Sequence, residues 1–455
     1  MSRLRLAIVG AGPAGIYAAD ILLKHERSFD VSIDLFERLP APYGLVRYGV
    51  APDHPRIKGI ITALREVLDT GQIRLFGNVN YGTDITLDDL KKHYHAVIFS
   101  TGAIQDADLA IPGIDLPGSY GAADFVSWYD GHPDVSREWP LNAEQVAVLG
   151  NGNVALDVAR VLAKQADDML STDIPANVYE GLKSSPVTDV HVFGRRGPGQ
   201  IKFTPIELRE LGEQHEVDIV VDKQDFPDGW FNPEAEGVTN QHKVMARIMG
   251  EWVGREQTGA KRRLHLHFFS KPVEVIGADG SVTGIRFERT VPLEGTDQVT
   301  GTGEFVEYPV QAVYRAIGYF GSELPEIPFD EKYGVIKNVE GRVVDDAGKA
   351  IPGLYATGWI KRGPVGLIGH TKSDATETIE HLVADSANFT DPVHPEPTSM
   401  IDELDARGVR YTTWDGWLKL NEHEIALGAA DESHVERERV KVVDRDEQVA
   451  ISRGE

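Results

Sequence analysis

The chain has 455 residues, 41% of them hydrophobic, with 46 glycines and no cysteine. That length suits two or three globular domains, and the lack of cysteine excludes disulfides, thiolate metal centres and a redox dithiol relay. With 71 acidic residues against 46 basic ones, the net charge of −25 argues against nucleic acid or an anionic membrane as a partner.

The first predicted element is a strand over residues 4–9, followed by a glycine turn and a helix in "AIVGAGPAGIYAA". Gly10, Gly12 and Gly15 have GxGxxG spacing. One glycine permits the tight turn, one lets backbone amides approach a pyrophosphate, and one lets the helix pack on the sheet. The pyrophosphate would sit at the positive end of the helix. The apolar start is not a secretory signal, because Asp20 interrupts it and its small residues belong to the glycine fingerprint. A strand starting near Leu4 leaves no room for a transit peptide, and no apolar run reaches the ~20 residues needed to span a bilayer. A cytoplasmic location without membrane insertion is expected.

The second strand, "VSIDLFER", ends in Glu37, 22 residues after Gly15. That is the place of the carboxylate that binds ribose hydroxyls, and a carboxylate there repels a 2′-phosphate. The first turn therefore suits FAD or NAD rather than NADP. Next comes a proline-rich stretch at 39–58, "LPAPYGLVRYGVAPDHPRIK"; a structured loop of this length is usually functional. Its Asp53-His54-Pro55 offers the one proton-handling candidate near the first motif.

A strand in "HAVIFSTGA" (95–103) precedes the second glycine turn, "VAVLGNGNVALDVARVL", where Gly150, Gly152 and Ala155 give GxGxxA. Its next strand ends in Gly194-Arg195-Arg196, and arginine at this place accommodates the 2′-phosphate of NADP. Arg195 lies 43 residues after Gly152, so an insertion at about 164–187 must loop out. Residues 241–263 are expected to form one amphipathic helix carrying Lys243, Arg247, Arg255, Lys261, Arg262 and Arg263 against two acids. Strands at 312–319 and 353–359 also end in glycine. With 95–103 they fit a nested arrangement, in which one dinucleotide-binding domain is inserted into another. From about Asn388 onward the chain is proline-rich and then charged, without a catalytic pattern. No metal site is expected.

"GPAGIYAAD", "PYGLVRYGVAPDHP", "GNGNVALDVARVL", "GRRGP", "ELREL" and "GWIKRGPVGLIG" resemble the adrenodoxin reductase-type ferredoxin–NADP reductases, with the motifs in family order from Arg5 to about Val383. The resemblance implies an α/β fold of two nested Rossmann-like domains. Residues 1–104 and 317–390 would bind FAD, 105–316 would bind NADP, and 391–455 would be an extension on the FAD domain. It implies FAD contacts at Ala14, Glu37, Leu45, Val79, Trp359, Gly366, Leu367 and Ile368. NADP contacts are implied at Asn151, Gly152, Asn153, Val154, Arg195, Arg196, Glu207 and Gly366, with His54 and Glu207 near the nicotinamide and flavin. Trp359 stands where related two-dinucleotide flavoproteins often have an Asp. The implied reaction carries a hydride from NADPH to FAD, then single electrons to ferredoxin or another iron–sulfur carrier. By the same resemblance that partner would dock at the domain cleft; of two basic candidates, Lys202 and Arg209 beside the NADP site are favoured over the segment at 241–263. Two alternatives remain open: a flavin reductase with another acceptor, and a non-catalytic nucleotide-binding subunit.

Overall fold

The structure, a computed structural model, describes residues 3–201, 203–234, 237–293, 296, 298–364, 370–433 and 435–455. It separates into two compact units. One comprises Met1–Gln105, Asp130–Asp134 and Tyr319–Glu455, the other Asp106–Tyr129 and Val135–Gly318. These limits differ from the expected 105–316 in returning Asp130–Asp134 to the first unit. Asp130 lies 3.4 Å from Lys58 and 3.6 Å from Lys441, both in the first unit.

The first unit is built on a seven-stranded sheet in the order Asn338–Val339, Arg342–Val344, Ala350–Ala356, Ala96–Phe99, Arg3–Val9, Asp30–Phe36, Ile73–Phe76. The last five run parallel, and the two short edge strands are antiparallel. Arg3–Val9 is buried throughout except for Arg3, which is why it reads as a continuous apolar run rather than an alternation. Its one internal charge, Arg5, is neutralised by Asp34 at 3.0 Å. The helices Pro13–Lys24 and His370–Asp385 contribute Ile16, Ala19, Leu22, Ala375, Ile379 and Leu382 to the core. Trp417 and Leu420 of the C-terminal helix Trp414–Ala429 pack into the same core.

The second unit holds a six-stranded parallel sheet in the order Ser119–Gly121, Ala312–Arg315, Gln145–Leu149, Asp189–Phe193, Arg262–His267, Val217–Val221. An antiparallel sheet of Ser270–Ala278, Ser281–Pro292 and Val299–Tyr308 accompanies it. The fold is thus α/β with two Rossmann-like parallel sheets. The insertion at 164–187 contains a 3₁₀ turn, Ala166–Met169, and a helix, Ala176–Ser184.

The expected helix at 241–263 is corrected. It spans Asn240–Trp252 only, burying Met245, Ile248, Met249 and Trp252. Gly254 (φ 77°) and Gly259 (φ 81°) then turn the chain, and Arg262 and Arg263 begin a strand. Arg263 pairs with Asp189 at 2.5 Å, so no continuous basic helix face exists there. No helix among the described residues is long and apolar enough to cross a membrane.

Candidate functional site

In the first unit, Arg3–Val9 leads into Gly10, whose amide donates to the Phe36 carbonyl at 2.7 Å. Gly10 has φ 111°, and a Cβ there would lie 2.5 Å from the Ser100 carbonyl oxygen, so the turn requires glycine. A Cβ on Gly15 would meet the Gly10 carbonyl oxygen at 2.1 Å. That absence of side chain lets the helix start close to the strand. Gly12 caps Pro13–Lys24 without a side-chain acceptor. Beyond Gly12 the nearest atom to a virtual Cβ is Gly44 Cα at 3.9 Å. An uncapped helix start with open space before it can receive an anion.

Glu37 is buried and accepts from the Ala11 amide at 2.8 Å and the Leu39 amide at 3.1 Å. Burial pushes its carboxyl up, against the opposing pull of those amides and Arg38. A carboxylate has about four acceptor directions, so capacity remains for a ribose hydroxyl. The Val79 amide donates to the Glu37 carbonyl at 2.9 Å, and the Tyr43 amide to Ala11 at 2.8 Å. Gly44, whose virtual Cβ lies 3.1 Å from Gly12 Cα, carries the half-buried Leu45 to the same turn. Gly358 (φ 76°) lies against Ala14, 2.6 Å from its Cβ to the virtual one, and half-buried Trp359 follows. Ala14, Glu37, Leu45, Val79 and Trp359 therefore gather around one glycine turn. Gly366, Leu367 and Ile368 lie outside the described residues. His54 is buried and turns the chain into the short helix Pro55–Lys58.

Asp374 was not singled out from sequence. Its Oδ2 accepts from the Gly358 amide at 2.5 Å and from Thr357 Oγ1 at 3.1 Å. Lys361 lies 3.0 Å away, and the Arg362 guanidinium also bonds it. Burial opposes ionisation, but the Gly358 amide and Lys361 overcome it and hold the carboxyl low. The carboxylate reaches the Gly358 amide from 16 residues further along the chain. The alternation of Lys361-Arg362 with Asp374 and Glu377 was the one available signal.

In the second unit the same construction recurs with different ends. The Gly150 amide donates to Phe193 at 3.0 Å; Gly150 has φ 150°, and a Cβ would meet the Ala316 carbonyl oxygen at 2.2 Å. Gly152 caps Asn153–Ala163 without a side-chain acceptor, and nothing lies within 4 Å of its virtual Cβ. Asn151 lies against Gly194, and half-buried Val154 follows Asn153 on the first helical turn. Asn153 Oδ1 accepts from the Thr204 amide at 3.3 Å, tying this turn to the helix Pro205–Gly212 that Thr204 caps. That helix carries buried Glu207 and exposed Arg209. Arg195 and Arg196 follow the strand Asp189–Phe193. Their carbonyls are pinned by Thr290 Oγ1 at 2.7 Å and the Phe269 amide at 3.1 Å. Neither guanidinium has an ion-pair partner among the described residues. Lys202 lies outside them.

Comparison with known proteins agrees with this construction. Residues 4–192 match the model of the pyridine nucleotide-disulphide oxidoreductase family. The chain is 38% identical over 461 residues to the NADPH-ferredoxin reductase FprA of Mycobacterium tuberculosis, covering 99% of each chain. It is 37% identical to the mitochondrial NADPH:adrenodoxin oxidoreductase of Homo sapiens, over 98% of this chain and 91% of that one. A solved structure of M. tuberculosis FprA in complex with NADPH superposes with a TM-score of 0.90, covering 99% of this chain and 100% of that one.

Proposed function

This chain belongs to the adrenodoxin reductase-type NADPH–ferredoxin reductases, and from that premise we propose that it binds FAD at the first glycine turn and NADPH at the second, and reduces a ferredoxin-like iron–sulfur protein. FAD, when bound, supplies the conversion of a two-electron hydride into single electrons that an iron–sulfur centre accepts. A disulfide relay, the other chemistry of the wider family, is impossible in a chain with no cysteine.

The observation that carries the assignment is the difference between the two second-strand ends. Buried Glu37 keeps acceptor capacity for ribose hydroxyls and opposes a phosphate. Arg195 and Arg196 offer two guanidiniums uncompensated by any described carboxylate. Gly12 and Gly152 leave their helix starts to a pyrophosphate. Asp374 holds the Gly358–Trp359 backbone in place, so this edge of the first site is positioned before the nucleotide arrives. Residues 366–368 complete it by family resemblance. His54 and Glu207, each buried in its own unit, are assigned by the same resemblance to positioning and charge balance near the reacting rings.

The test is an anaerobic NADPH titration of the purified yellow protein, followed by ferredoxin-dependent cytochrome c reduction. Bleaching by NADPH but not NADH, with electrons passed to ferredoxin, is the expected result. Colourless protein that cannot be loaded with FAD overturns the assignment, and bleaching without ferredoxin reduction removes the proposed acceptor.

A further inference from the structure

We propose that His191, His265 and His267, on the parallel sheet of the second unit, form a binding site for one late transition-metal dication of the zinc type. His191 belongs to the strand Asp189–Phe193, and the other two to its neighbour Arg262–His267. The register sets His265 opposite His191 and Arg263 opposite Asp189. The two-residue period of a strand then puts His265 and His267 on the same face. One ring nitrogen of each histidine lies within 4.8 Å of the others, and His191 Nδ1 is 3.0 Å from His267 Nε2.

Groups outside the triad decide where the protons sit. The Asp189 carboxylate is held by Arg263 at 2.5 and 2.7 Å and by Gln145 Nε2 at 2.7 Å. Because Gln145 gives its NH₂ to Asp189, its Oε1 faces His191 Nε2, 3.0 Å away. An amide oxygen only accepts, so the His191 proton is on Nε2 and the Nδ1 lone pair points at His267. His265 Nε2 likewise donates to Asp189 Oδ1 at 2.7 Å, which leaves its Nδ1 lone pair free. An acceptor behind the non-ligating nitrogen is the arrangement that orients metal-bound imidazoles.

Three imidazoles without thiolate select zinc, copper or nickel over calcium or magnesium. Zn–N bonds of about 2.0–2.1 Å place ligand nitrogens roughly 3.3 Å apart. The pair His191 and His267 is near that spacing already. His265, stacked on His191 with ring centroids 4.3 Å apart, would have to turn its ring about the Cβ–Cγ bond to join the set, with Asp189 following its Nε2. Its side chain is 17% exposed and provides the route of entry. Phe193 and Tyr308 wall the other side, 4.5 and 4.9 Å from the His267 ring. The two glycine turns do not use these three residues, so the site is separate from nucleotide binding.

The experiment takes tag-free holoenzyme stripped with EDTA and titrates it calorimetrically with Zn²⁺, beside His265→Gln and His267→Gln. One equivalent should bind to the unmutated protein, and each variant should weaken it by more than ~100-fold. Gln145→Leu, which removes only the partner behind His191, should cost ~10–100-fold. Copper(II) bound to the unmutated protein gives a readout independent of any variant, because its electron paramagnetic resonance counts coordinating nitrogens. Three imidazole nitrogens support the site; one or none overturns it. Absence of Zn²⁺ uptake, or uptake undiminished in both variants as for adventitious binding elsewhere among the 15 histidines, overturns it as well.

Discussion

Arg195, exposed, and Arg196, half-buried, hold two positive charges that no described carboxylate neutralises, so both remain available to an anion. Replacing both by Ala removes two charge-assisted bonds of about 1.5–3 kcal/mol each. NADPH affinity should fall by ~10²-fold or more while NADH affinity changes little. Isotherms for both nucleotides check this, and equal losses would show that the arginines do not read the 2′-phosphate. Glu37 is the counterpart in the first unit. Glu37→Gln keeps the shape but turns one oxygen into a donor that faces the Ala11 or Leu39 amide. The variant should release flavin on gel filtration while its NADPH selectivity stays unchanged. Full flavin content with lost NADPH binding would mean the two sites are exchanged.

At the scale of elements, charge ties late segments of the chain onto early ones. Asp89 closes the capping box of Leu87–His93 through Thr86 and accepts from Arg407 at 2.9 Å. Burial alone would raise its pKa, but Arg407 and Thr86 outweigh it and hold the carboxyl well below the ordinary range. A depressed folded-state pKa adds stability that is present above the unfolded value of ~3.9 and disappears as pH falls through the folded one. Asp89→Asn should therefore destabilise by about 1–2 kcal/mol near neutral pH. In urea unfolding the gap to the unmutated protein should narrow below about pH 4; a gap constant to the acid limit contradicts the linkage. Arg47 and Glu424 make a second tie, buried and bidentate at 3.0 and 2.5 Å. Glu424→Gln leaves a buried guanidinium without its charge partner, a loss of roughly 3–5 kcal/mol. The melting temperature should drop and flavin should dissociate more readily, since Leu45 lies on the same short helix as Arg47. An unchanged melting temperature would sink this reading. These ties also mark where sequence reading stops. Gly10, Gly12, Gly15 and Glu37 were legible because their physics is local: turn, helix start and strand end follow one another in the chain. Glu424 lies 377 residues from Arg47 and Asp374 16 from Gly358, and no periodicity links such pairs. The basic segment at 241–263 misled because helical spacing persists up to Trp252, while Gly254 and Gly259 reverse the chain just beyond.

For the whole molecule, a charge of −25 would repel any iron–sulfur partner of like charge until a local basic group comes within the ~10 Å over which charges act at moderate salt. Arg209 is exposed and has no ion-pair partner among the described residues, whereas Arg262 and Arg263 are committed to the Lys164 carbonyl and Asp189. Arg209→Glu should slow ferredoxin reduction through association, with the deficit fading as salt rises. Reduction of ferricyanide should stay near normal. A ferredoxin rate indifferent to both substitution and salt would move the docking face elsewhere. The chain order of the sheets has a consequence for how the protein is made. Ala96–Phe99 finds its outer neighbour, Ala350–Ala356, only after the entire second unit has been translated. Roughly 250 residues separate them, which at about 5–20 residues per second leaves an apolar strand edge waiting on the ribosome for ~10–50 s. Such an edge is a template for pairing with a neighbouring nascent chain. Polysomes translating this message therefore hold many such edges close together, and a transcript cut short after the second unit yields a polypeptide in which Ala96–Phe99 lacks its outer neighbour.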